Sequence, residues 1–386
     1  MKNELEDMSR EEFAARDFSE KSALRERERK YYAEKSEEIG LKSLERFLQY
    51  HPNPSRFMKL GFTYAHRDLE SVADAMANGK PWAVVSGLNP SAPLHIGHKA
   101  VYDEVLWLQE QGAEVFIPLT NDESFVVGKS KTLGESRKVA YEEVIPSLIA
   151  MGFDAERTHM FVDSDYPDIY NVAMDLSNKI SLNRAFGVFG FQMNENPGAL
   201  FYRSAVQIAQ ILLPQYEEFG GPKPTVVPVG IDQYPYLLLA RDVAEKKGFV
   251  PPAGLFLKFL WGMDGKGKMS ASREGSAIFL TENTNRAKKI IKTSYTGGSP
   301  FADFQRENGG IHDICPVYTL RSYHFEEDNI VGEECASGQT LCGDCKKQAI
   351  EDVVSYLEDH QSKLEEARSR VGEFILKTPI RSIFEE

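Results

Sequence analysis

Two histidines three residues apart, His95 and His98, end the segment PSAPLHIGH at residues 90–98. An apolar run that predicts a strand precedes this segment, and a helical pattern follows it. The start of such a helix offers free backbone N–H groups and the positive end of the helix dipole, which suit a phosphate. Both imidazoles can donate to phosphate oxygens, and Gly97 allows a ligand close to the backbone. We therefore predict a nucleotide-binding segment here, in preference to a zinc-binding pair or a plain capped helix start.

A second segment suited to phosphate is GKGKMSAS at residues 265–272. Its glycines allow a mobile loop, Lys268 supplies a point charge for a polyphosphate, and Ser270 and Ser272 add hydroxyl donors. Alone, such a loop is usually a solvated turn. Together with the histidine pair in the same chain, it indicates a specific site for a nucleotide polyphosphate.

The elements that must position these segments follow a strand–helix alternation. Short apolar, β-branched runs at 82–86, 115–119 and 225–229 predict buried strands, and a helical pattern begins at Gly97. This alternation favours an α/β fold with a doubly wound, parallel sheet of the Rossmann type. Residues of about 130–220 are mainly helical in pattern and are interpreted as a helical insertion.

The two ends of the chain differ from this central part. Residues 1–48 are dense in alternating charge and predict an exposed helix or a partly ordered arm, interpreted as a solvated extension without chemistry. Apolar residues recur at helical spacing from Ile350, which predicts a long amphipathic helix in a separate all-helical domain. The predicted division is therefore an extension (1–48), a catalytic domain (49–285) and a helical domain (286–386).

Composition limits the class of protein. The chain has 386 residues, 42% of them hydrophobic and 27% charged, which is typical of a globular protein and excludes a disordered chain. Its formal net charge of −13 excludes nucleic-acid binding by bulk charge, so any such contact needs local basic patches. The sequence shows neither a membrane span nor a secretory signal, and we expect a cytoplasmic protein with no membrane or DNA partner.

Four cysteines are grouped in the last quarter of the chain, at Cys315, Cys335, Cys342 and Cys345. Four thiols that include a C-x-x-C pair suit tetrahedral Zn²⁺ or an iron–sulfur cluster. Separate buried thiols are the alternative interpretation.

The pairing of HIGH at residues 95–98 with KMSAS at 268–272 resembles class I aminoacyl-tRNA synthetases. From about residue 55 to the end, the chain resembles tryptophanyl-tRNA synthetases of the archaeal–eukaryotic type. The segments that carry this resemblance are YAHRD (64–68), NDE (121–123), FGVFGF (186–191), GIDQYPY (230–236), RD (241–242), SAIFL (276–280), TGG (296–298), SG (337–338) and GDCKK (343–347).

The resemblance implies a Rossmann-type catalytic domain, a helical anticodon-binding domain and a homodimer. It also implies that ATP, accompanied by Mg²⁺, activates tryptophan and that the adenylate then acylates tRNA(Trp). His95 and His98 would stabilise the α-phosphate in the transition state, and Lys268 would bind the departing pyrophosphate. The further ATP-binding residues implied by the match are Pro90, Ser91, Gly97, Asp232, Met269, Ser270 and Ser272.

The matching positions for the amino acid are Val85, Glu123, Gln207 and Gln233. By its own pattern Gln207 would be an ordinary residue at the edge of a core. The chain departs from the family at three places, where Val85 replaces a tyrosine and Pro118 a glutamine that face the indole N–H, and Leu88 replaces an arginine on the ATP side. Apolar residues at these positions favour an aromatic or apolar substrate side chain over a charged one.

Two alternatives stay open from the sequence. The chain could be a paralogue with changed, tyrosine-like specificity, or a non-catalytic relative that binds tRNA or a protein. The intact HIGH, KMSAS and GIDQ segments speak against lost chemistry. The cysteines are similar to a four-cysteine pattern of some tryptophanyl members, which implies a [4Fe–4S] cluster, with Zn²⁺ as the other candidate.

Overall fold

A short buried strand, Ala83–Val85, lies at the centre of a seven-stranded sheet in the computed structural model of the protein, which describes residues 9–50, 53–326 and 328–384. The strands are, in chain order, β1 (Lys42–Ser43), β2 (Thr63–Arg67), β3 (Ala83–Val85), β4 (Glu114–Leu119), β5 (Thr158–Val162), β6 (Thr225–Gly230) and β7 (Ala253–Leu257).

The sheet has the order β1-β2-β7-β6-β3-β4-β5. Strands β3 to β7 pair in parallel, and β1 and β2 are added antiparallel at one edge. Ala83 is in register with Glu114 of β4 on one side and with Thr225 of β6 on the other. The chain therefore runs outward from β3 in both directions. In such sheets a crevice for ligands opens at the carboxyl ends of the two strands where the order reverses, here β3 and β6.

The central strands are apolar on both faces because helices cover the sheet from both sides. Val84, Val115 and Val226 are fully buried. The three strands predicted from the sequence are confirmed as β3, β4 and β6, with ends that differ by a residue or two. The sequence reasoning missed β1, β2, β5 and β7, and β5 lies inside the segment interpreted as a helical insertion.

The α-helices are α1 (Arg10–Glu38), α2 (Glu45–Tyr50), α3 (Arg56–Lys59), α4 (Glu70–Ala77), α5 (Ile96–Glu110), α6 (Asn121–Val126), α7 (Leu133–Val139), α8 (Ile145–Ala150), α9 (Asp168–Ser177), α10 (Leu182–Phe189), α11 (Pro197–Phe201), α12 (Gln207–Leu212), α13 (Tyr234–Lys247), α14 (Thr284–Thr293), α15 (Ala302–Asn308), α16 (Pro316–His324), α17 (Ile330–Ala336) and α18 (Cys342–Phe374). Single π-helical segments, Ala140–Val144 and Tyr202–Val206, join α7 to α8 and α11 to α12.

Helix α5 follows the loop after β3 and confirms the helix predicted from Gly97 onward. Its residues Ile96, Ala100, Val105 and Leu108 are buried, at the spacing that places one stripe of a helix against a sheet. This packing fixes the amino-terminal end of α5 at the crevice of the sheet.

The carboxyl-terminal region is helical and ends in the 33-residue helix α18, which confirms the predicted amphipathic helix. Val353 and Leu357 of α18 belong to the same apolar core as Leu148 of α8. The following segment returns to the sheet, where the N–H of Leu376 donates to the carbonyl of Met160 in β5. The predicted fold class, a mostly parallel Rossmann-type sheet with a helical carboxyl-terminal region, is confirmed.

The charged amino-terminal segment forms α1, which begins after Ser9 in a capping box with Glu12. Residues 1–8 of the predicted extension lie outside the described residues. Within the described part of the chain, no helix combines the length and the apolar character needed to cross a bilayer.

Candidate active site

A cavity of about 510 Å³ opens at the carboxyl ends of β3 and β6. The loop after β3, the start of α5, the turn after β6 and the segment after β7 form its walls. This is the position at which an open α/β sheet binds its ligand. Both segments predicted to bind phosphate face this one cavity, although about 170 residues separate them in the chain.

The HIGH segment forms the first turn of α5 and its cap. His95 is the N-cap residue, and its Nδ1 accepts a hydrogen bond from the N–H of Gly97 at 3.1 Å. Nδ1 of His98 accepts from the backbone N–H of His95 at 3.2 Å, and the two rings stack with their centres 3.8 Å apart. A Cβ atom at position 97 would lie 2.8 Å from the His95 ring, so glycine is required for this arrangement.

The hydrogen bonds and the surroundings fix the protonation of both histidines. Burial and the nearby charge of Lys268 lower the pKa of His95 to about 4. Burial and the positive charges around His98 hold the pKa of that ring well below its usual value. Both rings are therefore neutral at physiological pH, and because each Nδ1 accepts, the ring proton is on Nε2. Each Nε2–H can donate to a phosphate oxygen.

The KMSAS segment begins at Lys268, in the second arm of a small hairpin after β7. Trp261 and Lys268 pair across this hairpin, and the N–H of Met269 donates to the carbonyl of Leu260 at 2.8 Å. Beyond the hairpin, the guanidinium of Arg273 donates to the carbonyl of Lys268 at 2.9 Å. The hydroxyls of Ser270 and Ser272 share a hydrogen bond of 2.9 Å. The backbone on both sides of Lys268 is therefore held in place, while its side chain extends into the cavity.

An acidic side chain, Glu123, also lines the cavity. One of its carboxylate oxygens, Oε2, accepts from the amide of Asn89 at 2.8 Å and from the hydroxyl of Thr120 at 3.0 Å. Gln207 and Gln233 also line this cavity. A carboxylate held in one orientation, with amide groups nearby, is suited to bind the ammonium and carboxylate groups of an amino acid.

Two more carboxyl groups lie beside Glu123. Asp163 is fully buried, and burial together with the charge of Asp122 raises its pKa well above the usual value. Gln210 donates to Asp163 at 2.6 Å, and the hydroxyl of Tyr170 donates to Asp122 at 3.1 Å. Burial and the repulsion between the two carboxyl groups therefore favour the protonated form of Asp163 beside Glu123.

The structure brings most of the predicted site residues to the cavity. Those that line it are Val85, Ser91, His95, Gly97, His98, Glu123, Gln207, Asp232, Gln233, Lys268, Met269 and Ser270. Pro90 and Ser272 are not among the lining residues. Pro90 is buried, whereas Ser272 is exposed and contacts Ser270.

Sequence reasoning missed several lining residues, among them Lys129, Lys258 and Phe259. Lys258 and Phe259 directly follow β7, so recognition of that strand would have placed them at the crevice. Lys129 stands in a loop with no local pattern that indicates a ligand.

A family model described as tRNA synthetases class I, for tryptophan and tyrosine, matches residues 77–358. The chain belongs to this family. A relative from Pyrobaculum calidifontis named tryptophan–tRNA ligase is 39% identical over 331 residues, which are 84% of this chain and 87% of the relative. A second relative of that name, from Methanocaldococcus jannaschii, is 35% identical over 346 residues, which are 87% of this chain and 93% of the relative. The crystal structure of tryptophanyl-tRNA synthetase from Aeropyrum pernix superposes with a TM-score of 0.81 at 32% identity, covering 91% of this chain and 97% of that one.

The family predicted from the sequence is thus confirmed, and the chain is a class I synthetase, an ATP-dependent ligase. The three departures noted in the sequence lie together in the synthetase. Val85, Leu88 and Pro118 all line the cavity, and a Cβ atom at Gly87 would lie 2.9 Å from the Pro118 ring. This side of the cavity is therefore apolar and closely packed.

The four cysteines of the synthetase lie around one small cavity of about 20 Å³ in the carboxyl-terminal region. All four are free thiols, and burial raises the pKa of Cys315 to about 11 and that of Cys335 to about 12. Among the described residues, no group of three or more His, Cys, Asp and Glu side chains is arranged to hold a metal ion. The thiols are gathered around one cavity, as the sequence suggested.

Proposed function

We propose that this synthetase activates tryptophan with ATP and transfers it to tRNA(Trp). The observation that carries the proposal is that neutral histidine N–H donors, Lys268 and Glu123 line one cavity, with Lys268 close enough to affect the pKa of His95. We assign the histidines and Lys268 to a phosphate end of this cavity and Glu123 to an amino-acid end. A carboxylate oxygen of tryptophan attacks the α-phosphorus, and the bond to the leaving pyrophosphate breaks. A hydroxyl of the terminal tRNA ribose then attacks the carbonyl carbon of the adenylate, and AMP leaves.

The residues at the phosphate end divide the work of the first step. The Nε2–H groups of His95 and His98 and the free N–H groups of the α5 amino terminus stabilise the charge on the α-phosphate. Lys268 binds the pyrophosphate as it departs. The Mg²⁺ that accompanies ATP neutralises charge on the phosphates. Such chemistry depends on positioning and electrostatics, because no covalent intermediate with the protein is needed.

The other nucleotide contacts of this proposal come from the segments around these groups. Ser91 and Gly97 border the HIGH end, and Asp232 lies after β6. Pro90 is buried directly before Ser91, and the hydroxyl of Ser272 shares a hydrogen bond with that of Ser270. Met269 packs against the first turn of α5, since its sulfur would lie 3.3 Å from a Cβ at Gly97.

At the amino-acid end we assign the ammonium and carboxylate groups of tryptophan to Glu123, Gln207 and Gln233. The indole packs against the apolar side of the cavity, which includes Val85 and Pro118. Neither of these two side chains carries an N–H, O–H or carbonyl group, so the indole is bound here by shape and apolar contact.

We also propose a division of labour along the chain, with residues 49–285 catalytic and residues 286–386 reading the anticodon. Lys288, Lys289 and Lys292 of α14 are candidates for phosphate contacts, whereas Lys346 donates to the carbonyls of Lys292 and Ser294 and so caps α14. The protein would act in the cytoplasm as a homodimer. Exposed apolar side chains that could form its interface are Met174, Leu182, Phe186 and Met193.

If the carboxyl-terminal cysteines bind a metal, Cys315, Cys335, Cys342 and Cys345 are the ligand set that we propose. A [4Fe–4S] cluster needs one thiolate for each iron, and Zn²⁺ needs all four around one ion. Metal analysis and the visible spectrum of protein purified without oxygen distinguish the iron–sulfur cluster from Zn²⁺. Iron with a broad visible absorption, or one zinc per chain, supports a metal site. Metal-free, colourless protein contradicts it.

Charging of tRNA tests the whole function. Purified protein, ATP, Mg²⁺ and tryptophan should aminoacylate tRNA(Trp) transcript and leave tRNA(Tyr) transcript uncharged. Charging of tRNA(Tyr) with tyrosine would replace the substrate assignment. No charging by folded protein that binds both ATP and tRNA would favour a non-catalytic relative.

A further inference from the structure

Helix α1 lies against the segment that leads into the KMSAS hairpin. Although most of its residues are charged and exposed, Tyr32 is only 6% exposed. The Tyr32 ring packs against Tyr64 of β2, with ring centres 5.0 Å apart. The same helix also contacts the carboxyl-terminal region, where Arg29 pairs with Asp313 at 3.2 Å. It therefore joins the sheet to the helical region and is not a solvated extension.

Two side chains of α1, one helical turn apart, bind the residues just after β7. The Tyr32 hydroxyl accepts a hydrogen bond from the backbone N–H of Phe259 at 2.9 Å. Oε1 of Glu28 accepts from the indole N–H of Trp261 at 3.1 Å. Positions four apart lie on the same helix face, so one face of α1 reaches both residues at once.

Phe259 and Trp261 are the base of the hairpin that carries Lys268. Trp261 pairs with Lys268 across the hairpin, and the Lys268 ammonium lies 4.2 Å from the centre of the Phe259 ring. The Phe259 ring packs closely on Gly230, where a Cβ atom would lie 2.6 Å from the ring. A shift of the 259–261 backbone would therefore move Lys268.

The Glu28 carboxylate has complementary partners at the hairpin base. Burial raises the pKa of Glu28, and the hydrogen bond from Trp261 and the charge of Lys258 oppose this effect. Asp313 and Arg29 are the other charged groups that face this site. A partly buried carboxylate is stable only with such partners. The hydrogen bond between the Glu28 carboxylate and the Trp261 indole N–H therefore needs both α1 and the hairpin base.

We propose that α1 positions Lys268 for ATP, with Tyr32 and Glu28 as positioning residues that act through Phe259 and Trp261. The inference rests on the proposed role of Lys268. It implies that loss of either contact weakens the use of ATP and leaves tryptophan binding unchanged, because Phe259 and Trp261, which Tyr32 and Glu28 bind, are not among the residues assigned to tryptophan.

The test compares Tyr32→Phe and Glu28→Ala with matched variants of the same helix, Tyr31→Phe and Glu34→Ala. Tyr31 and Glu34 are exposed. In ATP–pyrophosphate exchange, the KM for ATP should rise about three- to tenfold in the first pair, as loss of one hydrogen bond gives. The KM for tryptophan should be unchanged in these two variants. In both control variants, the KM for ATP and the KM for tryptophan should equal those of the wild type. Trp261→Phe removes the Glu28 contact from the other side and should match Glu28→Ala.

A double-mutant cycle with Lys268→Ala separates positioning from general destabilisation. In the Lys268→Ala background, Tyr32→Phe should change the kinetics less than twofold, since the group that it positions is absent. Unchanged ATP kinetics in Tyr32→Phe, Glu28→Ala and Trp261→Phe would overturn the inference. An equal loss of exchange activity from Tyr32→Phe in the wild-type and Lys268→Ala backgrounds would overturn it too. Full exchange activity of Lys268→Ala would instead overturn the proposed role of Lys268, and the inference with it.

Discussion

The ammonium of Lys268 lies 4.2 Å from the centre of the Phe259 ring and 3.6 Å from a carboxylate oxygen of Asp232. Both contacts are weak, because the Lys268 side chain is 58% exposed and an exposed ion pair contributes little. These contacts orient the Lys268 side chain toward the cavity, but they are too weak to prevent it from binding a ligand. A polyphosphate with several negative charges can therefore replace them at low cost.

Lys268→Ala should lower kcat for ATP–pyrophosphate exchange by about 10²- to 10³-fold, the usual effect of removing one group that stabilises transition-state charge. Tryptophan binding should be unaffected, because Lys268 lies at the phosphate end. Lys266→Ala is the matched control, since Lys266 is exposed in the same loop and does not line the cavity. Equal kinetics of the two variants would refute the role of Lys268.

His95→Asn separates the two roles of this histidine. Asparagine can still accept from the N–H of Gly97 and cap α5, but it lacks the Nε2–H donor. We expect a fall in kcat of at least tenfold with little change in the free energy of unfolding. His95→Ala should lose the same activity and in addition about 1 kcal/mol of stability, measured by urea unfolding. A stable, fully active His95→Asn enzyme would show that the donor is not used.

Glu104 of α5 gives a prediction about pH. It is fully buried, and burial raises its pKa to about 7, so the folded state binds a proton that the unfolded state releases near pH 4.5. The folded state therefore loses stability as pH rises from about 4.5 to 7. Glu104→Gln should remove this loss. The free energy of unfolding of the variant minus that of the wild type should therefore be about 2 kcal/mol higher at pH 8 than at pH 5.

The control for this experiment is Glu110→Gln, on the exposed end of the same helix. Urea unfolding of all three proteins at both pH values gives the comparison, and titration of other groups cancels between variant and wild type. A constant difference between Glu104→Gln and wild type would contradict a raised pKa at this position.

The apolar side of the cavity predicts how strictly the indole N–H is read. Sites that hydrogen-bond a substrate N–H reject analogues that lack it by 10⁴-fold or more, whereas apolar pockets discriminate by only about 10- to 200-fold. With Val85 and Pro118 in this wall, benzothienylalanine, which has sulfur in place of the N–H, should be activated with a kcat/KM within about tenfold of that of tryptophan. A loss above a thousandfold would reveal a polar partner such as Gln210.

The sequence predicted those parts of the fold that local pattern determines. Val84 and Val115 lie in continuous apolar runs, and the helix of Ile96 has a regular buried stripe, so β3, β4 and α5 were predicted. In β7, Gly254 interrupts the apolar run, and in β2 the buried positions follow no regular alternation. Neither strand gave a clear signal without its neighbours.

The site was predictable where motifs mark it and not where only folding brings residues together. His95, Gly97 and Lys268 stand in recognisable segments. Phe259 has no such marking, and its contact with Tyr32 joins residues 227 positions apart. The sequence predicted a charged helix in the amino-terminal segment, but composition shows neither of the contacts that Tyr32 and Glu28 make with the hairpin base.

The most direct test of the proposed activity is ATP–pyrophosphate exchange by the purified protein with each of the twenty amino acids in turn. We predict exchange that depends on tryptophan and is abolished by His98→Ala, with at most weak exchange for phenylalanine and tyrosine. Stronger exchange with another amino acid than with tryptophan would contradict the substrate assignment, and no exchange with any of them would contradict catalysis at this site.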